Sequence, residues 1–205
     1  MLESKPLFIT GIGTGIGKTV TSAIITEKLQ ADYWKPVQSG DLDQSDSLTV
    51  RSLVSNSRTV FHPETYRLTQ PYSPHKSAKI DEITIDPDKF TLPETENTLI
   101  IEGAGGLMVP LNDEFLIIDL IKKLDAEVIL VSRNYLGSIN HTLLSWKVLK
   151  SEQISVRGII FNGYSDESSE SYILNYTGLK LLGRVPEFQE ITKETIKQAG
   201  AFITL

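Results

Sequence analysis

A glycine-rich run, Gly11-Ile12-Gly13-Thr14-Gly15-Ile16-Gly17-Lys18-Thr19, stands between the apolar stretch Leu7-Phe8-Ile9-Thr10 and a segment with helical patterning. Glycines let a backbone curl so that its N–H groups point inward at anionic oxygens. The N-terminus of the following helix adds a fixed partial positive charge. Lys18 supplies a mobile cation for the terminal phosphates, and the Thr19 hydroxyl is a hard oxygen ligand for Mg²⁺. The outer glycine, Gly11, lies one position further from Gly17 than in the commonest phosphate loop, so this loop is one residue longer. The motif points to a nucleoside triphosphate with Mg²⁺. By itself it does not say what becomes of the triphosphate.

Other groups follow other apolar runs. Lys35 lies in Trp34-Lys35-Pro36-Val37-Gln38-Ser39-Gly40. It is either a solvated charge beside a turn or a second ammonium facing the γ-phosphate, where it would stabilise charge in phosphoryl transfer. Asp46 follows Ser45, with Asp41 and Asp43 as neighbouring decoys. A carboxylate there also suits a helix N-terminus. Glu102 closes Thr98-Leu99-Ile100-Ile101 and is followed by Gly103-Ala104-Gly105-Gly106. An acid at that place is the expected second anchor for Mg²⁺ or its waters, and an idle charge there would be costly. Ser138, in Leu136-Gly137-Ser138-Ile139-Asn140-His141, reads as a helix cap or as part of a carboxylate-binding helix start. Asn162-Gly163 reads as a base-reading group or as plain turn chemistry. The three histidines have no metal-ligand spacing, and His141 reads as a helix-face residue.

These groups need a scaffold that brings strand ends together. The pattern predicts strands at 7–10, 33–37, 98–102, 127–131, 156–161 and 181–185. It predicts helices at 19–29, 45–54, 115–124, 138–150, 167–176 and 191–198. Residues 55–97, rich in Pro, Thr, Ser and Asp, give no clear element. Alternation of this kind implies βαβ units: an α/β, P-loop NTPase-like fold with a mainly parallel central sheet and helices on both faces. In such sheets ligands sit beyond the carboxyl ends of the strands.

The chain has 205 residues, which suggests one domain at about 150 residues per domain. Hydrophobic residues make up 40% and charged residues 22%, an ordinary globular balance that excludes fibrous and disordered classes. The net charge of −6 makes the chain a poor non-specific binder of nucleic acid or anionic membrane. With no cysteine, thiolate nucleophiles, disulfides and cysteine-ligated metals are excluded, which fits the cytoplasm. Met1-Leu2-Glu3-Ser4-Lys5-Pro6 has no signal-peptide architecture, and no run has the length of a transmembrane helix.

Taken together, several blocks resemble the dethiobiotin synthetase family. They are Thr10-Gly11 through Gly17-Lys18-Thr19, Lys35-Pro36-Val37 with Ser39-Gly40, Ser45-Asp46, and Ser73-Pro74-His75. They continue with Glu102 to Gly106, Leu136-Gly137 with Ile139-Asn140-His141, and Leu182-Gly183 with Pro186. They stand in family order and cover most of the chain. The resemblance implies an ATP- and Mg²⁺-dependent ligase that closes 7,8-diaminononanoate and CO₂ (or bicarbonate) into a cyclic urea.

By the same resemblance Lys18 and Lys35 are catalytic, and Thr19, Asp46 and Glu102 bind the metal. Gly15, Ile16, Gly17, Lys18, Thr19, Val20, Asp46, Glu102, Gly103, Ala104 and Gly105 hold the nucleotide. Asn162, Gly163, Pro186, Glu187 and Phe188 form its base site. Thr14, Lys35 and Ser39 lie near the diamine and its carbamate, while Asn140 and Tyr172 reach the substrate tail across a homodimer interface. The chain departs from the family at Gly13 and Gly15, where acidic residues are usual. Two other classes share parts of the pattern. One is the amidoligases of corrin synthesis, which carry an added glutamine-hydrolysing domain. The other is the ParA/MinD-like ATPase switches, which carry an extra lysine at the position of Gly13.

Overall fold

A computed structural model describes residues 5–205 of the chain. The absence of a signal sequence, read in part from 1–4, concerns positions outside the described residues. Among those described, no helix is long and apolar enough to cross a membrane.

The central strands of the main sheet are short and largely apolar on both sides, as strands covered by helices on two faces must be. In chain order the elements are β1 (Leu7–Gly11), α1 (Lys18–Leu29), β2 (Asp32–Trp34), β3 (Val37–Ser39) and α2 (Asp46–Leu53). Next come β4 (Phe61–His62), β5 (Tyr66–Leu68), α3 (Pro74–Ile80), β6 (Leu99–Glu102) and α4 (Ile117–Lys123). The last are β7 (Glu127–Arg133), α5 (Ser138–Ser151), β8 (Val156–Asn162), α6 (Glu167–Thr177), β9 (Leu181–Val185) and α7 (Lys193–Ala199).

Seven strands pair in the order β4-β2-β6-β1-β7-β8-β9, every neighbouring pair parallel. Alternation sorts the core. Leu7, Ile9, Ile100, Ile129 and Val131 face α1, α2 and α7, with Ile24, Val50 and Ile196. Phe8, Leu99, Ile101 and Val128 face the other way, onto Ile117, Leu120 and Ile121 of α4 and Leu149 of α5. Ile173 of α6 closes a third cluster with Leu130, Ile159 and Phe161.

From β1 the chain steps across β6 to β2. From β6 it returns past β1 to β7. The crevice at this reversal lies beyond the carboxyl ends of β1 and β6, the position at which open parallel sheets bind ligands.

The expected mainly parallel sheet with helices on both faces is what the chain forms. Three predicted elements differ. The strand expected at 33–37 is two strands: β2 ends at Trp34, and Val37–Ser39 pairs with Tyr66–Leu68 in a separate two-stranded sheet. The helix expected from Phe115 begins at Ile117. Phe115 is used before it, its carbonyl accepting from Leu111 N–H at 2.8 Å, and Pro110 bridges Leu116. The helix expected from Ile191 begins at Lys193, because the Thr192 side chain accepts from Thr195 N–H and caps it. The segment 55–97 holds β4, β5, α3 and a turn at Pro87–Lys89.

Candidate nucleotide and substrate site

Gly17 N-caps α1 with φ 94°, left-handed backbone that disfavours a side chain. A Cβ there would also stand 2.0 Å from Asn162 Nδ2. That amide donates to Ile16 C=O at 2.7 Å and ties the end of β8 to the loop. Gly15 is likewise left-handed at φ 72°, and a Cβ at Gly13 or Gly15 would meet no atom within 4 Å.

Lys18 opens α1 and folds back, its Nζ donating to Gly13 C=O at 2.8 Å. Burial, with the nearby Lys35 ammonium, outweighs the pull of Glu102 and Asp46 and brings its pKa down to about 8. Thr19, next on the helix, places Oγ1 2.8 Å from both Asp46 Oδ1 and Glu102 Oε1. A hydroxyl carries one proton and donates to only one of them; the other contact sets oxygen against oxygen.

Strand pleating explains why these groups meet. In the register of β2 with β6, Tyr33 pairs with Ile100 and Trp34 with Ile101. Side chains two apart share a face, so Tyr33, Lys35, Ile100 and Glu102 all point toward α1. Lys35 is 3% exposed and Glu102 is 1% exposed. Lys35 Nζ lies 2.7 Å from Asp46 Oδ2 and 3.3 Å from Glu102 Oε1. Burial disfavours its charge, but the two carboxylates prevail and raise its pKa. Asp46 is half-buried; desolvation works against its charge, yet Lys35 above all, then Thr19 and Lys18, hold its carboxyl below the usual range. Asp46 is the first residue of α2, whose cap is Ser45, accepting from Leu48 N–H at 3.3 Å.

A cleft of about 680 Å³ opens over these groups. Thr14, Gly15, Gly17, Lys18, Thr19, Val20, Lys35, Ser39, Asp46 and Glu102 to Gly105 all line it. Ser39 Oγ has no hydrogen-bond partner among the described residues. Ile16 does not line the cleft and is buried in the core on the α1 side. Asn162, Gly163 and Pro186–Phe188 stand outside its lining but flank the loop: Gly163 N–H donates to Val185 C=O at 2.8 Å, and Gly163 faces Glu187. Asn140 on α5 and Tyr172 on α6 are exposed and line no part of the cleft.

Sequence reasoning missed Gln38, Gln44, Pro71, Tyr72 and Val109, which also line the cleft, and Asp41, read as a decoy, lines it too. Ser73 and Pro74, noted without a role, complete that wall.

Thr19 Oγ1, Asp46 and Glu102 form a hard oxygen set with two carboxylates. Among the described residues no group of three or more His, Cys, Asp or Glu is arranged to hold a metal. The set suits a cation such as Mg²⁺, which takes one or two carboxylates and completes its shell with phosphate oxygens and water.

A glycine-rich loop between a central parallel strand and a helix, with an acid at the tip of the adjacent strand, makes this a P-loop nucleotide-binding protein. Solved structures agree on the fold. One is the septum site-determining protein MinD of Pyrococcus horikoshii complexed with Mg-ADP, at TM-score 0.62 and 14% identity over 95% of this chain and 86% of that one. Another is a ParA family ATPase of Chlorobium tepidum, at TM-score 0.57 and 14% identity over 97% and 99%. A family model described as an AAA domain matches residues 5–195.

The sequence relatives are more specific. The ATP-dependent dethiobiotin synthetase of Cytophaga hutchinsonii is 53% identical over 94% of this chain and 93% of that protein. Those of Christiangramia forsetii and Agrobacterium fabrum are 53% and 46% identical over 95% and 94% of this chain, and 93% and 91% of theirs. The chain belongs to the dethiobiotin synthetase family and is, with its relatives, an ATP-dependent ligase of biotin biosynthesis.

Proposed function

We propose that the protein, as a single ATP-binding ligase domain in the cytoplasm, joins CO₂ to 7,8-diaminononanoate and closes the product to dethiobiotin, releasing ADP and phosphate. One amine captures CO₂ and loses a proton to give a carbamate. A carbamate oxygen takes the γ-phosphoryl group of ATP, forming a carbamic-phosphoric anhydride and ADP. The second amine attacks the carbonyl carbon, phosphate leaves, and the urea ring is closed. The observation that carries this reading is the cluster of buried Lys35 and Glu102 with half-buried Asp46 and Thr19 at the mouth of the phosphate loop.

The reactants are both anionic, so the chain must offset their repulsion. Amide groups of the loop and the start of α1 receive the triphosphate. Lys18 turns from Gly13 C=O to the β- and γ-oxygens. Lys35 sits across the cleft, where its ammonium draws the carbamate toward the γ-phosphorus and stabilises charge on the transferring group. Thr14 and the unpartnered Ser39 hydroxyl orient the carbamate. Thr19, Asp46 and Glu102 would hold Mg²⁺, which would supply charge neutralisation of the phosphates; the solved MinD structure of the same fold carries Mg-ADP.

Asn162, Gly163 and Pro186–Phe188 receive the base. Asn140 and Tyr172, outside the cleft, serve the tail of a substrate bound to a partner protomer in a homodimer. The exposed Leu136, in the turn before α5, and Leu144, on α5, support such an interface.

Incubation with the diamine, ¹³C-bicarbonate, Mg²⁺ and ATP tests the reading. The expected product is the cyclic urea one mass unit heavier than unlabelled material. ADP formation without that product would overturn it.

A further inference from the structure

Tyr33 is buried at the centre of the fold, on β2, two residues before Lys35. Its ring packs in the core with Ile9 and Ile100 and meets Phe61 at 5.9 Å between centroids. Core packing needs only the ring, but the hydroxyl is equally enclosed and must find a partner. That partner is Glu102: Tyr33 O–H donates to Oε2 at 2.9 Å. The other oxygen, Oε1, is the one that approaches Thr19 Oγ1 at 2.8 Å and Lys35 Nζ at 3.3 Å. The two carboxylate oxygens thus have separate tasks, one tied inward and one turned to the cleft.

We propose that Tyr33 is a positioning residue for the cation site: its hydroxyl fixes Glu102 Oε2 and thereby presents Oε1 alone, as a one-oxygen ligand, between Thr19 and Lys35. The inference rests on the reading of Glu102 as a metal ligand given above. Pleating makes the arrangement possible, since Tyr33 is opposite Ile100 and so diagonal to Glu102 on the same face, within reach of an aromatic side chain. Without the hydroxyl, Oε2 would lie unpaired in the core, and the carboxylate would turn to satisfy it. Groups that orient a metal ligand in this way commonly change metal affinity by about 10- to 100-fold when removed.

The test is Mn²⁺ binding to the full chain with ADP, followed by electron paramagnetic resonance, so that it does not depend on turnover. Tyr33→Phe keeps the ring and its packing. Its Mn²⁺ dissociation constant is expected to rise about tenfold. Glu102→Gln should also weaken Mn²⁺, and Tyr33→Phe added to Glu102→Gln should weaken it no further, because the hydroxyl acts through that carboxylate. Phe61→Leu, which loosens the ring but keeps the hydroxyl, should lower the melting temperature and leave Mn²⁺ affinity in place. The inference is overturned if Tyr33→Phe titrates like the unaltered protein while Glu102→Gln does not, or if Phe61→Leu weakens Mn²⁺ as much as Tyr33→Phe. If Glu102→Gln itself titrates like the unaltered protein, the assignment of Glu102 to the metal fails first, and this inference with it.

Discussion

Lys35 Nζ and Asp46 Oδ2 form a contact ion pair of 2.7 Å, with the lysine closed off from solvent. An ammonium assigned to the transferring phosphoryl group is thus held, before any ligand arrives, by a carboxylate assigned to the metal. Cation and lysine share one pair of acids.

That sharing makes Lys35→Met informative. Removing Lys35 leaves the buried Glu102 carboxylate uncompensated, and breaking a buried pair in this way costs about 3–5 kcal/mol of stability. Mg²⁺ should restore part of this, so the variant's melting temperature should rise with Mg²⁺ more than the unaltered protein's does. Ring closure should fall by at least ~10²-fold while ATP binding remains measurable. Calorimetric scans with and without Mg²⁺, beside a turnover assay, check both halves. A variant whose turnover at saturating ATP is intact contradicts the role given to Lys35.

Lys18→Ala should lower turnover by at least ~10²-fold, because developing charge on the phosphoryl group loses its mobile cation. Steady-state kinetics at saturating diamine reads this. Unchanged turnover would remove the loop from the chemistry.

Asn140→Ala and Lys35→Ala chains, each weak alone, should recover part of their activity when mixed and allowed to exchange. One site in a mixed dimer then holds both unaltered residues. No recovery after exchange has been verified by mass would end the claim that Asn140 serves a neighbouring protomer.

Asp32 is one of the carboxylates through which acid should act on stability. Its carboxylate accepts from Val60 N–H at 2.9 Å, Thr95 O–H at 2.6 Å and Asn97 Nδ2 at 3.2 Å, with His62 Nε2 at 3.3 Å. Burial alone would raise its pKa, but these bonds together lower it. A carboxyl with a depressed folded pKa adds stability above its unfolded value, near 4, and loses it as pH falls through the folded value. Asp32→Asn should therefore cost about 2–3 kcal/mol at neutral pH and flatten the decline below pH 4. Urea midpoints from pH 3 to 7 measure this; equal slopes for both proteins would contradict it.

Asp32 also shows why part of the chain was hard to read. The phosphate loop, β1, α1 and β6 were legible because glycine spacing and apolar runs are local signals. The segment 55–97 owes its order to remote groups: Asp32 gathers residues 60, 62, 95 and 97, and Glu27 takes the N–H groups of Ser55 and Asn56. Strands of two or three residues, as in β3, β4 and β5, carry too little periodicity to declare themselves. The strand expected over 33–37 breaks after Trp34, and the Pro36 carbonyl, accepting from Tyr66 N–H at 3.0 Å, leads into a second sheet that nothing local announces. Lys35 and Glu102 could be singled out as strand-end charges. That Asp46 would join them from a different element depended on the cap at Ser45 and on Gln38 Oε1, which accepts from Asp46 N–H at 3.3 Å. Tyr72 and Pro71 reach the cleft only because their loop lies against the Gly40 turn, where a Cβ would come within 2.6 Å of Pro71.

The transfer of an oxygen decides the chemistry. With ¹⁸O-labelled bicarbonate, diamine, Mg²⁺ and ATP, the phosphate released in the first turnovers should carry one ¹⁸O from the carbamate, read as an isotope shift in its ³¹P resonance. Phosphate whose new oxygen comes only from water would mean that this cleft hydrolyses ATP without ever joining it to a carbamate.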